Sequence, residues 1–240
     1  HLIAGAKDLG IAGQRRQVGA FRTYQSLLVE WNQRFNLTAI TDDVGIQIRH
    51  FLDSLSCLKA LEPGDQLSGR RLIDVGTGAG FPGIPLKILC PGIRLTLVDA
   101  RAKKTRFLQH VVDRLDLRDV TVLHARAETL GQDPGHRERY HWVFARAVAD
   151  LTVLAEYLLP LAVIGGQVLS QKGETAPAEV QRSEWTIGRL GGEVRRLVPV
   201  ELRGLAETRY LVVLDKVQAT PDKYPRRAGM PNKYPLTPED

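Results

Sequence analysis

The chain has 240 residues, 43% of them hydrophobic, and a formal net charge of +6. Such a composition excludes a disordered tract and a small disulfide-held scaffold, and predicts one large globular domain with an appendage. Two cysteines without metal-site spacing, and no apolar run of the roughly 18 residues that span a bilayer, argue for a reducing compartment, the cytoplasm, with neither metal nor membrane partner. Residues 1–13 lack the basic-then-apolar pattern of a signal peptide. The basic balance suits a polyanionic partner.

Val18, Phe21, Tyr24, Leu28, Trp31 and Phe35 recur at helical spacing, predicting an amphipathic helix over 15–35. Thr41 or Asp42 caps a second helix whose apolar face is Val44, Ile48, Phe51, Leu55 and Leu58. This N-terminal helical extension is assigned to 1–65, ending at the Pro-Gly turn of residues 62–65. Strands are then expected at 71–75, 93–98, 120–124, 141–145 and 166–170, alternating with helices at 83–90, 102–116 and 150–163. A helix at 176–190 precedes two strands, 193–201 and 208–216, joined by a short loop. Five parallel strands followed by an antiparallel pair make a seven-stranded α/β sheet with helices on both faces, assigned to 66–218. From Thr220 onward five prolines forbid regular structure, leaving a basic, Pro-rich tail over 219–240.

The most informative segment is Asp74-Val-Gly-Thr-Gly-Ala-Gly-Phe-Pro-Gly-Ile-Pro-Leu86. An apolar strand runs into Gly76, Gly78 and Gly80, whose spacing lets the backbone turn tightly against a ligand. Asp99 follows roughly 20 residues later at the end of the next strand, the place of a ribose-binding acid. A dinucleotide site spaces its third glycine one residue later and leaves bare amides for a pyrophosphate. Here Phe81, Pro82 and Pro85 crowd the turn, and Asp74 would repel phosphate but attract a sulfonium or ammonium cation. That charge argument favours S-adenosylmethionine over a nicotinamide dinucleotide.

Four motifs in order carry a family resemblance: Trp31-Asn32-x-x-Phe-Asn36-Leu37-Thr38; Arg49-His50-x-x-Asp53-Ser54-Leu55; the glycine loop; and Tyr224-Pro-Arg-x-x-Gly229-x-Pro231-x-Lys233-x-Pro235-Leu236. Together they resemble the glucose-inhibited division protein B family of 16S ribosomal RNA guanine-N7 methyltransferases. The resemblance implies a class I, Rossmann-like methyltransferase fold, S-adenosylmethionine as methyl donor, and a guanine of 16S rRNA, free or in the small ribosomal subunit, as acceptor. It also implies that Asp74, Gly76, Gly78, Gly80 and Phe81 line the methionine and adenosine side. Asp99, Ala100 and Arg101 would meet ribose and adenine, and Ala127 and Glu128 would bound the adenine pocket. Arg146 would face the reacting centre, though Ala145 stands where the family pattern has serine.

Guanine N7 bears a lone pair and no proton, so no general base is nominated; alignment and charge stabilisation carry the reaction. Arg146 is assigned to positioning, and Lys172, Arg226, Arg227 and Lys233 to RNA. A monomer is the expectation. Two other readings stay open at this point: an NAD(P)-linked oxidoreductase, and a non-catalytic RNA-binding module on the same fold.

Overall fold

In the computed structural model, residues 1–62, 66–146 and 149–239 are described. Residues 63–65 of the turn expected to end the N-terminal extension lie outside them. Seven strands form one sheet in the order β3-β2-β1-β4-β5-β7-β6. They are β1 Arg71–Val75, β2 Arg94–Asp99, β3 Val120–His124, β4 Tyr140–Arg146, β5 Ala162–Lys172, β6 Gly192–Val200 and β7 Arg209–Lys216. β1 to β5 pair in parallel, and β7 runs antiparallel between β5 and β6. The fifth strand starts at Ala162, ahead of the expected residue 166, and Gly165, at φ +80°, lies inside it.

The period-2 alternation of each strand divides the core between the two faces. Leu72, Leu95, Leu97, Phe144, Leu169, Leu211 and Val213 pack with the N-terminal helices and with helices Gly83–Leu89 and Ala102–Arg114. Ile73, Val75, Val98, Val143, Val168, Val212 and Leu214 pack with helices Ala127–Gln132, Leu151–Leu158 and Ala176–Arg189. The N-terminal extension is thus a layer of the first face.

That layer differs from its reading in two respects. Helix Arg15–Phe35 forms as expected, but the second helix is composite: α over Asp43–Gly45, π over Ile46–Leu52, α over Asp53–Leu55, then 3₁₀ over Ser56–Ala60. Asp42 does cap it, its Oδ1 accepting from the Gly45 amide at 2.7 Å. The wider π turn rotates the buried stripe. Ile46, Ile48, Phe51, Leu52 and Leu55 go inward while Val44 stays exposed. A short helix, Leu2–Asp8, precedes it, closed by no capping side chain that the sequence could advertise.

The tail is also more ordered than its prolines suggest. Met230–Lys233 is a helical turn with Pro231 in its first positions, where a missing N–H costs nothing. Tyr224 and Leu236 are buried against the second face. Lys216, fully buried, holds the turn into the tail by donating to the Leu159 carbonyl at 2.9 Å and to Thr220 Oγ1, with Glu138 3.4 Å away.

Candidate functional site

The carboxyl ends of β1, β2 and β4 converge on the glycine loop. Gly76, Gly78 and Gly80 all have positive φ, +68°, +64° and +105°, which an L side chain would adopt only at a cost. Phe81 and Gly80 both donate their amides to the Thr77 carbonyl at 2.9 Å, closing the turn. A Cβ on Gly78 would meet nothing nearer than Lys104 Nζ, at 3.5 Å, and the Gly76 carbonyl, at 4.0 Å, so its outer side is open. A Cβ on Gly80 would lie 2.5 Å from the Tyr24 hydroxyl, so its other side is sealed by the N-terminal extension. Tyr24 donates its hydroxyl to the Ala79 carbonyl and stacks on Phe81, with ring centroids 5.5 Å apart.

Asp74 lies beneath this loop and not on its rim. It is fully buried; its Oδ2 accepts from Thr77 Oγ1 at 2.6 Å and from the Gly83 amide at 2.8 Å. Burial pushes its pKa up to about 6, against the pull of those two bonds. Its work is to fix the loop on the following helix, and the cation selectivity assigned to it from sequence does not rest on a surface charge. Asp99 binds the loop from the other side. Its Oδ2 accepts from the Gly78 amide at 3.0 Å and its Oδ1 from the Arg101 amide at 2.9 Å, with Lys104 Nζ at 3.6 Å. Each carboxylate oxygen has further lone-pair capacity. Ala100 and Arg101 are exposed beside it. Ala127 and Glu128 open the helix after β3, and Glu128 Oε1 accepts from the Gly229 amide of the tail at 2.8 Å. Burial and the carboxylates of Glu128 and Glu156 push nearby Tyr157 up to about 12. An open-sided glycine turn with the Asp99 carboxylate against it fits the hydroxyls of a nucleoside.

Arg146 ends β4 next to the loop, its guanidinium 4.9 Å over the Phe81 ring. It donates to Asp53 Oδ2 at 3.1 Å and to the Arg49 carbonyl at 3.2 Å, both from the N-terminal extension. His50 stacks on Phe81 with 4.4 Å between centroids, and its Nε2 is 2.8 Å from Thr38 Oγ1. Burial first, and Arg146 second, drive His50 down to about 3, so it stays neutral. Beside this cluster is a cavity of about 290 Å³ lined by Arg49, Asp53, Arg146, Gln171 and Arg209, among others.

Of the remaining sequence-nominated cations, Lys172 also borders this cavity, and the other three lie on the tail. Lys172 follows Gln171 on β5 and so turns to the opposite face, where its Nζ is 2.7 Å from Glu179 and also donates to the Ala149 carbonyl. Arg226 is held by Glu156 through bonds of 2.8 to 3.2 Å. Arg227 and Lys233 are exposed on the tail, on the second face. Sequence reasoning left Asp53 and His50 as motif letters, and Gln171 and Arg209 unmentioned; polar residues at the end of apolar β5 and the start of β7 were the available signal.

Among the described residues no cluster of His, Cys, Asp and Glu could hold a metal ion, and no helix is long and apolar enough to cross a membrane. The family model described as rRNA small subunit methyltransferase G matches residues 17–203. The chain is 53% identical over 235 residues to the ribosomal RNA small subunit methyltransferase G of Roseiflexus castenholzii, covering 98% of each. It is 49% identical to that of Pelotomaculum thermopropionicum, covering 97% of this chain and 96% of the relative. In fold it is similar to a SAM-dependent methyltransferase from Aquifex aeolicus, with a TM-score of 0.53 at 18% identity, over 72% of this chain and 93% of that one. With more than half its length matched and near-complete alignment to such relatives, the chain belongs to the GidB family, rRNA small subunit methyltransferase G.

Proposed function

We propose that this enzyme transfers the methyl group of S-adenosylmethionine to N7 of a guanine in 16S rRNA, and that it does so as a monomer in the cytoplasm. Family membership supports a methyltransferase acting on small-subunit rRNA. One observation carries the finer reading: a base-sized cavity, with three arginines and a single carboxylate on its wall, adjoins the glycine loop through Arg146 and Phe81. At about 290 Å³ it sits at the lower edge of small-molecule pockets, roughly 300 Å³.

S-adenosylmethionine supplies an electrophilic methyl carbon when bound. Gly76, Gly78 and Gly80 let its amino-acid part approach the main chain, while Asp99 and Glu128 accept from its ribose and adenine. Phe81 and His50 form an aromatic wall between loop and cavity. Arg146 is braced on Asp53, Arg49 and the Phe81 face; it holds the target base and its phosphate in line. Because N7 gives up no proton, neutral His50 is needed for shape and not as a base. The product guanine is cationic, and Asp53 is the carboxylate on the cavity wall that offsets its charge. Arg227, Lys233 and the exposed Arg49 are free to meet RNA phosphates; Lys172 borders the cavity with its charge paired to Glu179, and Arg226 holds the tail on Glu156.

The test is transfer of labelled methyl from S-adenosylmethionine to small-subunit rRNA from a strain lacking the enzyme, followed by mapping of the modified base. A single N7-methylguanine is expected. Label on another atom, binding of NADH in the donor site, or RNA binding without transfer would each overturn the reading.

A further inference from the structure

Native proteins pair more than nine-tenths of their buried polar groups. Among the described residues six buried side-chain atoms lack a hydrogen-bond partner. Three of the six, Asp53 Oδ1, Gln171 Oε1 and Arg209 Nε, belong to residues that line the one cavity beside Arg146. Asp53 and Gln171 are 5% and 3% exposed. Their other atoms are committed. Asp53 Oδ2 accepts from Arg146 at 3.1 Å, and Gln171 Nε2 donates to the Asp53 carbonyl at 2.6 Å. This second bond fixes which way the amide points, leaving its oxygen as the orphan. Arg209 Nε lies 3.8 Å from Asp53 Oδ1, near enough for charge but too far for a hydrogen bond. Asp53 meets Arg209 through its carboxylate and Gln171 through its main-chain carbonyl, which sets it between one donor, Arg209, and a second acceptor, Gln171.

We propose that these three residues read the Watson–Crick edge of the target base, an inference that rests on the guanine reading above. Guanine presents O6, N1–H and the 2-amino group in that order: acceptor, donor, donor. Arg209 donates to O6, Asp53 accepts from N1–H, and Gln171 accepts from the 2-amine. The five-membered ring, with N7, is then left facing the glycine loop. Adenine would turn its N1 lone pair on the Asp53 carboxylate, and uracil would set O2 against the Gln171 oxygen. Cytosine carries lone pairs at both positions. Leaving a buried acceptor unpaired or opposed by another lone pair is the strongest way a site rejects a wrong ligand. It is also how enzymes that draw a base out of its stack identify it.

The experiment compares kcat/KM on small-subunit rRNA carrying guanine or inosine at the mapped target, since inosine lacks only the 2-amine. The wild type should lose roughly 10- to 100-fold on inosine, the worth of one hydrogen bond to a buried acceptor. In Gln171→Met the two RNAs should become equal within a factor of about 3. Asp53→Asn should lose activity on guanine while its Kd for S-adenosylmethionine, measured by calorimetry, stays at the wild-type value. Equal wild-type rates on guanine and inosine overturn the proposal without any variant, so a misfolded mutant does not shield it. An unchanged guanine-to-inosine ratio in a folded Gln171→Met also overturns it. Absence of N7-methylguanine with unmodified RNA would instead overturn the function on which it rests.

Discussion

Removing one oxygen atom from Tyr24 tests whether the N-terminal layer controls the donor loop. Tyr24→Phe keeps the ring, which packs on Phe51, Phe81 and Phe107 at centroid distances of 5.4, 5.5 and 6.4 Å. It deletes only the hydroxyl that donates to the Ala79 carbonyl. Burial pushes that phenol far above its ordinary pKa, so the donor proton is always present. Ala79 is itself buried, and stranding its carbonyl costs about 1–3 kcal/mol. In a chain of this size that lowers Tm by roughly 3–9 °C. Released from Tyr24, the Ala79–Gly80 peptide is less preorganised, and the Kd for S-adenosylmethionine should rise about 3- to 30-fold. Differential scanning fluorimetry and calorimetric titration read the two effects. Tyr24→Ala, which also opens a cavity, should cost about 3–5 kcal/mol. If Tyr24→Phe melts and binds donor like the wild type, the proposed bracing of the loop by the helix is wrong.

Three further outcomes follow from the same geometry. Arg146→Ala should lower methyl transfer by roughly 100-fold or more, with donor Kd changed by less than about tenfold; unaltered turnover would remove the guanidinium from the site. Lys216 is pushed down from 10.5 to about 8 by burial. Between those values the unfolded chain binds more protons than the folded one, so stability should rise as pH goes from about 8 to 10.5, by up to about 3 kcal/mol. Lys216→Met should lack that rise in urea titrations across the range. Glu156 is buried and bears the fork of Arg226. Glu156→Ala should cost about 3 kcal/mol and expose the bond after Lys223 to trypsin; a tail that resists cleavage as before would show that the ion pair does not hold it.

The sheet was legible because its strands are apolar runs ended by glycine or acid, and both devices act locally. Asp74, Gly76, Gly78, Gly80 and Asp99 could be read for the same reason: their spacing alone makes the loop. The partners of Arg146 were not legible, because Asp53 and His50 reach it only after the N-terminal layer docks on the sheet. Lys172 illustrates a second limit. A lysine at a strand end ordinarily points to solvent, and only the position of Glu179, on the next helix, draws it inward. The π segment over Ile46–Leu52 was not legible, since reading an apolar stripe at helical spacing assumes four-residue bonding throughout. Helix Ala127–Gln132 was missed for want of a capping side chain, although Glu128 in its first turn was the cue that remained.

The bonds that complete the site join residues far apart in the chain: Tyr24 to Ala79 across 55 positions, Arg146 to Asp53 across 93, Gln171 to Asp53 across 118. Contacts of such separation form late, after the entropy of closing long loops has been overcome. A chain in which these bonds have not closed therefore lacks the bracing that joins the donor loop to the cavity beside Arg146. Donor affinity in this molecule is a gauge of complete folding, and raising the donor concentration shifts the balance toward the fully folded chain by mass action.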